Sequence, residues 1–119
     1  GLPLWDLLYF LGDALCRMDG PAGPDTLLER ATALFSGRSP HSTVLFRWVR
    51  TAVQRLAIPP DAVGPIATLG WLHHGLSADV RADALAGAGA APVGHLARMA
   101  QPWLRDPALG PEWPAWRNG

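Results

Sequence analysis

The chain has 119 residues, enough for one domain with a single core. Hydrophobic residues make up 49% of it and charged residues 17%, which excludes an intrinsically disordered chain. Its 13 glycines and 12 prolines follow no Gly-X-Y period, which excludes collagen. Ten acidic residues balance ten basic residues, so the composition favours neither a nucleic acid nor a membrane partner.

Several kinds of chemistry are excluded by residues that the sequence lacks. The single cysteine cannot form an intramolecular disulfide. All ten basic residues are arginines, so a lysine Schiff base or a phosphate-loop lysine is excluded.

The first predicted helix begins at Pro3 and runs through Leu15. Leucines at positions 4, 7, 8, 11 and 15 give a helical period, and Trp5 and Phe10 add apolar surface on other sides. Asp6 and Asp13 interrupt the apolar run, so it cannot span a bilayer, and no basic leader marks a signal peptide. We expect a cytoplasmic chain that begins inside a longer protein, since so apolar a helix is normally covered on most sides.

The next helices are predicted from capping residues and apolar faces. Asp25 is the expected N-cap of a second helix that ends at Phe35, and Ser39 is the expected N-cap of a third. The inward face expected for the third helix comprises Val44, Leu45, Trp48, Ala52, Val53 and Leu56. A fourth helix is expected from Asp61 or Pro65 to His74, with Gly75 just beyond it. The stretch that follows is ambiguous: 77–85 can form a short helix, whereas 86–91 has the small residues of a linker.

The last predicted helix spans 92–104, and 105–119 is expected to be an irregular tail rich in proline and tryptophan. Trp113 and Trp116 would hold this tail against the body. No alternating strand pattern occurs. The prediction is therefore one all-α domain over 1–119, a bundle of about five helices.

Most motifs have ordinary structural interpretations. His73 and His74 are adjacent, so they point about 100° apart and do not form a metal-binding pair. They are expected in a last helical turn, and His41 and His95 are expected at the surface or near the end of a helix. Cys16 is expected to be a buried structural thiol. The arginines of the third helix are expected to form a solvated face rather than a DNA-recognition surface.

Asp6 and Asp13 are the most informative acidic residues. Asp6 lies in the first turn of the first helix, where a carboxylate complements free backbone N–H groups and the positive helix end. A more specific hypothesis is that Asp6 accepts hydrogen bonds from backbone outside its own helix and fixes a neighbouring loop. Asp13 is expected to meet an arginine or solvent.

The segment from Gly1 to Phe10 resembles aminoglycoside-phosphotransferase-like kinases. In that family an Asp-Trp-Glu or Asp-Phe-Glu metal-binding segment precedes Gly-x-Pro-x-x-Asp-Leu and a long buried helix, and Gly1, Pro3, Asp6 and Leu7 match in order. The helical remainder is similar in class to the family's C-terminal subdomain. The resemblance implies that Asp6 supports the catalytic loop by binding its backbone amides.

The family's catalytic residues are missing from this sequence. It contains no His-Gly-Asp loop, no metal-binding Asp-Trp-Glu triplet, no glycine-rich strand loop and no lysine. We therefore expect no catalytic, metal-binding or cofactor-binding residue in this chain. The resemblance places ATP and Mg²⁺ in a parent protein, where an upstream catalytic segment is the partner.

Two functional hypotheses follow. In the first, the chain is the C-terminal helical part of a kinase-like phosphotransferase and helps to shape the side that receives a small acceptor molecule. In the second, it is a stand-alone helical module that binds a protein partner and has no catalytic activity. Neither hypothesis involves a nucleic acid or a membrane.

Overall fold

A computed structural model describes the backbone of residues 3–85 and 95–118, and the side chains of 3–77 and 95–117. Four long helices come first: α1 (Pro3–Cys16), α2 (Pro24–Ser36), α3 (Ser42–Arg55) and α4 (Pro60–Leu85). A 3₁₀ turn (His95–Arg98) and two short helices, α5 (Ala100–Arg105) and α6 (Ala115–Asn118), follow. No strand occurs among the residues described, so the predicted all-α bundle of about five helices is confirmed.

The core is a cluster of aromatic rings enclosed by the helices. Phe35 on α2 packs against three tryptophans, with ring centroids 5.2 Å from Trp71, and 6.0 Å from both Trp103 and Trp113. The edge-on and tilted arrangements suit the charge distribution of aromatic rings. Gly12 of α1 lies over this cluster, where a Cβ atom would come within 3.0 Å of the Phe35 ring.

The N-terminal end of α2 differs from the prediction, whereas its C-terminal end lies within one residue of it. Gly23, not Asp25, is the N-cap residue, and Pro24 takes the first helical position. Asp25 lies in the first turn. At the other end Gly37 adopts φ 88°, and the backbone N–H groups of Gly37 and Arg38 close the helix on Leu34 and Ala33.

The predicted inward face of α3 was right at Leu45 and Val53 but wrong at Val44, Trp48 and Leu56. The buried residues are Ser42, Leu45, Phe46, Val49 and Val53, whereas Val44, Trp48 and Leu56 are exposed. Apolar residues occur on several sides of this helix, so periodicity alone could not select the side that packs. The predicted N-cap was also two residues early, because the N-cap of α3 is His41. Ser39 lies in the preceding turn, where its hydroxyl accepts a hydrogen bond from the His41 N–H.

The predicted end of α4 was wrong as well. The helix continues through Gly75 to Leu85 and contains Pro65 near its beginning. Gly75 does not terminate the helix but permits close packing, because a Cβ atom there would lie 3.3 Å from the Ala97 carbonyl oxygen. None of the helices described is long and apolar enough to cross a lipid bilayer.

The tail is held against the body as predicted. Trp113 is fully buried and donates a hydrogen bond from Nε1 to the Phe35 carbonyl at 2.8 Å, and Trp116 is 5% exposed. Part of the tail is helical, since α6 lies within 105–119. In the predicted helix over 92–104, residues 92–94 lie outside the described part, and the rest forms the 3₁₀ turn and most of α5.

Candidate functional site: the outer face of α1

Aromatic contacts fix α1 against α4. The indole N–H of Trp5 donates to the Ile66 carbonyl at 2.6 Å, across 61 residues of sequence. The Trp5 ring stacks on His73 with centroids 5.4 Å apart, and Tyr9 lies 4.6 Å from His74. These contacts set the rotation of α1 about its own axis, so they also determine which residues face outward.

Gly70 allows this close approach. A Cβ atom at position 70 would lie 2.7 Å from Cδ1 of Trp5, closer than real Cβ contacts. The contact between α1 and α4 therefore depends on a residue without a side chain, because only glycine lets the Trp5 ring pack against the α4 backbone at position 70.

The opposite side of α1 faces solvent. Asp6, Phe10 and Ala14 are exposed and follow one another at intervals of four residues, which aligns them on one side of a helix. We call these three residues the α1 outer face. Phe10 is 69% exposed, although the core residues of the same helix, Leu4 and Leu8, are 1% and 2% exposed.

Asp6 is placed where the sequence predicted, in the first turn of α1. Within the described part of the chain its carboxylate makes no hydrogen bond and no ion pair. Its hypothesised backbone partners outside α1 are thus not supplied by the residues described, and the carboxylate is open to solvent.

Asp13 behaves as predicted. Its carboxylate accepts a hydrogen bond from Arg17 at 3.0 Å, one helical turn along, and both side chains are substantially exposed. An exposed pair of this kind contributes little to stability, about 0.3–0.5 kcal/mol.

The two adjacent histidines pack against aromatic rings. Their ring centroids are 5.9 Å apart, and they lie in the middle of α4 rather than in its last turn as predicted. The side chains described include no cluster of three or more potential metal ligands. The contacts with Trp5 and Tyr9 give His73 and His74 a role in joining α1 to α4.

Cys16 is the buried thiol that the sequence predicted. Its side chain is 2% exposed, and burial raises the pKa of the thiol to about 11, with a smaller contribution from the nearby Asp13 carboxylate. The nucleophilic thiolate is therefore strongly disfavoured near neutral pH.

His95 was predicted at the surface or near the end of a helix. It begins the 3₁₀ turn, but the surface alternative was wrong. It is 3% exposed, and its Nε2 has no hydrogen-bond partner among the residues described. Burial lowers the pKa of the imidazole below its usual value of 6.5, although Asp13 opposes that shift. The adjacent apolar residues Leu96 and Met99, both buried, were the available sequence signal.

An open groove lies between α2 and α5, with a volume of about 890 Å³. Its polar wall includes an ion pair in which Arg38 bonds Asp106 at 2.7 Å. That hydrogen bond, together with one from the Ala108 N–H, lowers the pKa of the Asp106 carboxyl. Asp106 thus remains a carboxylate near neutral pH, and its two hydrogen bonds tie the beginning of the tail to Arg38 and to the Ala108 backbone.

Comparison of the chain with protein-family models, curated proteins and solved structures gives no match. The resemblance to kinase-like phosphotransferases therefore rests on Gly1, Pro3, Asp6 and Leu7 alone.

Proposed function

We propose that the chain is the helical portion of a kinase-like phosphotransferase and that its α1 outer face supports a catalytic segment formed by residues before Gly1. ATP and Mg²⁺ would be bound by that segment, and the helices would help to shape the side facing a small hydroxylated acceptor. The observation that carries the proposal is the solvent-facing pair of Asp6 and Phe10 on a helix otherwise anchored in the core.

The two side chains suit a contact with a polypeptide loop. A carboxylate that accepts backbone N–H groups makes charge-assisted hydrogen bonds, which are stronger than neutral ones. Burying a phenylalanine side chain contributes roughly 1.5–3 kcal/mol. Asp6 and Phe10 lie one helical turn apart, so a single loop could contact both.

The anchoring of α1 also supports the proposal. A residue that orients a catalytic loop must itself be held rigidly. The hydrogen bond from Trp5 to Ile66 and the stacking of Trp5 on His73 immobilise the turn that carries Asp6.

The coding sequence upstream of Gly1 gives the simplest test. The proposal requires an open reading frame that continues upstream with His-Gly-Asp, an asparagine a few residues later, and then Asp-Trp-Glu or Asp-Phe-Glu. A start codon immediately before Gly1 would contradict it.

Substitution of Asp6 in the longer protein tests the role of the carboxylate. We expect Asp6→Ala to lower both kcat and the free energy of unfolding, the latter by roughly 1–3 kcal/mol, because buried amides would lose a charged partner. The matched control is Asp61→Ala, since Asp61 is also a first-turn carboxylate and, among the residues described, bonds only the exposed Arg117. Equal behaviour of the two variants would contradict the assigned role.

A stand-alone interaction module is the second candidate. It is favoured by an apolar line on the exposed side of α4, where Leu69, Leu72 and Leu76 are 58%, 37% and 66% exposed. A gene that encodes no catalytic segment before Gly1 would favour this module over the phosphotransferase.

A further inference from the structure

Trp48 differs from the other tryptophans of the chain. The side chains of all six are described; four of them are at most 5% exposed, and Trp5 is partly buried and bonded to Ile66. Trp48 on α3 is 52% exposed. Its neighbour one turn earlier, Val44, is 41% exposed, so the apolar surface extends along the helix.

Two arginines flank this tryptophan and have no partner within the described part of the chain. Most arginines described are bonded within the chain: Arg17, Arg38, Arg98 and Arg117 to aspartates, and Arg30 and Arg50 to backbone carbonyls. By contrast, the guanidinium groups of Arg47, Arg55 and Arg105 make no hydrogen bond or ion pair with the described residues. Two of these three lie on α3.

These residues share one side of α3. Positions 44, 48, 51 and 55 follow one another at intervals of three or four residues, and position 47 lies three residues after 44 and four before 51, which aligns all five on a single helical face. We call Val44, Arg47, Trp48, Thr51 and Arg55 the α3 outer face. The helix contains no acidic residue, so the guanidinium groups face no carboxylate of their own helix.

We propose that the α3 outer face binds an acidic protein segment in which carboxylates flank an apolar side chain. Arginine forms paired hydrogen bonds with carboxylates, and tryptophan and arginine are the residue types that dominate binding energy at protein interfaces. Arg47 and Arg55 are about 12 Å apart along the helix axis, with Trp48 between them. A helical or extended segment can present two carboxylates at that spacing.

The charge pattern favours a protein over other anionic partners. Recognition of anionic lipid by a helix typically uses clusters of about four to eight basic residues, and nucleic-acid binding needs contacts with many phosphates. The α3 outer face has two cations without a partner among the side chains described, in a chain of zero net charge. Its chemistry therefore fits a short acidic peptide segment.

This proposal does not depend on the proposed function. The α1 and α3 outer faces lie on different helices and share no residue. Variants of Arg47, Trp48 and Arg55 therefore test binding without altering Asp6 or Phe10.

A peptide titration tests the proposal on the 119-residue chain. The probe is a synthetic helical peptide of about 15 residues, in which glutamates flank leucine and phenylalanine on one face; its control has glutamine for each glutamate. We expect the acidic peptide to bind and the control peptide to bind at least about tenfold more weakly, as measured by calorimetry.

Three variants locate the binding. Trp48→Ala and the double variant R47Q/R55Q should each weaken binding at least about tenfold. Arg105→Gln is the matched control, because Arg105 is also an unpaired arginine in the last turn of its helix, and it should bind like the parent. Circular dichroism should show all variants folded, since the substituted side chains are exposed.

Several outcomes would overturn the proposal. Failure of the acidic peptide to bind would do so, as would an equal loss of binding in Arg105→Gln. So would tighter binding to phosphatidylserine vesicles or to single-stranded DNA than to the peptide. Sedimentation that shows a dimer lost in Trp48→Ala would assign the face to a second copy of the chain instead.

Discussion

Cys16 and His95 are both core residues that experience the charges of Asp13 and Arg17. Burial is the largest influence on each, and it favours the uncharged form in both cases: it raises the pKa of the thiol and lowers the pKa of the imidazole. The Cys16 thiol and the His95 imidazole are therefore both uncharged at physiological pH. Protonation of His95 would place a charge in the core and should lower the free energy of unfolding.

We expect the free energy of unfolding to fall as pH decreases below about 6.5, the usual pKa of histidine. The folded-state pKa of His95 is lower, so the unfolded chain binds its proton first and stability is lost through the interval between the two values. Asp13 and Arg17 are the charged groups that act on the imidazole. Urea unfolding from pH 7 to pH 5 measures this.

The control for this titration is His95→Gln. This variant should show a shallower dependence of unfolding free energy on pH over the same interval, whatever its absolute stability. Identical slopes in the two proteins would show that His95 is not the group responsible.

Cys16 should react slowly with thiol reagents. With a pKa of about 11 and 2% exposure, its thiolate is scarce and shielded near pH 8. We expect modification by a disulfide reagent to be fast in urea and limited by opening of the structure in its absence. A native-state rate equal to that of a free thiol would contradict the burial of this residue.

At the scale of the helices, α2 and α3 are each followed by a residue in the left-handed backbone region. This residue is a glycine after α2 and an alanine after α3. Gly37 closes α2 at φ 88°, where glycine has no steric penalty, while Ala57 follows α3 at φ 53° with a side chain. The Ile58 N–H bonds the Val53 carbonyl at 3.0 Å across that turn. The end of α3 therefore carries a strain that the end of α2 avoids.

These ends predict opposite effects of exchanging glycine and alanine. Gly37→Ala should destabilise the fold by roughly 1–2 kcal/mol, since a Cβ atom there has space and the cost is conformational. Ala57→Gly should stabilise it by a few tenths of a kcal/mol up to about 1 kcal/mol, the relief being partly offset by glycine's entropy. Urea denaturation of both variants checks the pair, and the same sign for both would be inconsistent with the backbone geometry.

The contact between α1 and α4 makes a further prediction. Gly70→Ala should destabilise the protein by about 1–3 kcal/mol, because the new methyl group would displace the Trp5 ring. Gly23→Ala is the control, since Gly23 has open space and an ordinary φ. If Gly70→Ala proves as stable as Gly23→Ala, the proposed close approach of these helices is incorrect.

At the scale of the whole molecule, the sequence predicted which segments are helical better than it predicted how they pack. Leucine spacing placed α1, and proline and glycine marked the loops around α2. The outward side of α3 could not be predicted, because Phe46 and Val49 compete with Val44 and Trp48 and only the neighbouring helices decide between them. Gly75 looked like a helix end because its packing partner, the Ala97 carbonyl, is distant in sequence.

The candidate site was predicted only where it depends on local sequence, as was the fold. Asp6 was placed in the first turn of α1 by helix periodicity, which is a local property. The exposure of Phe10 and the locking of Trp5 onto Ile66 depend on α4, some sixty residues away, so no local pattern indicated them.

The central claim is that the α1 outer face is covered by a segment that precedes Gly1. Hydroxyl-radical footprinting of Phe10, 69% exposed in this chain, tests it most directly, with Leu104, which is 55% exposed, as internal reference. The account predicts that Phe10 is strongly protected in the longer protein relative to the 119-residue chain, while Leu104 reacts alike in both. Equal reactivity of Phe10 in the two proteins would contradict it.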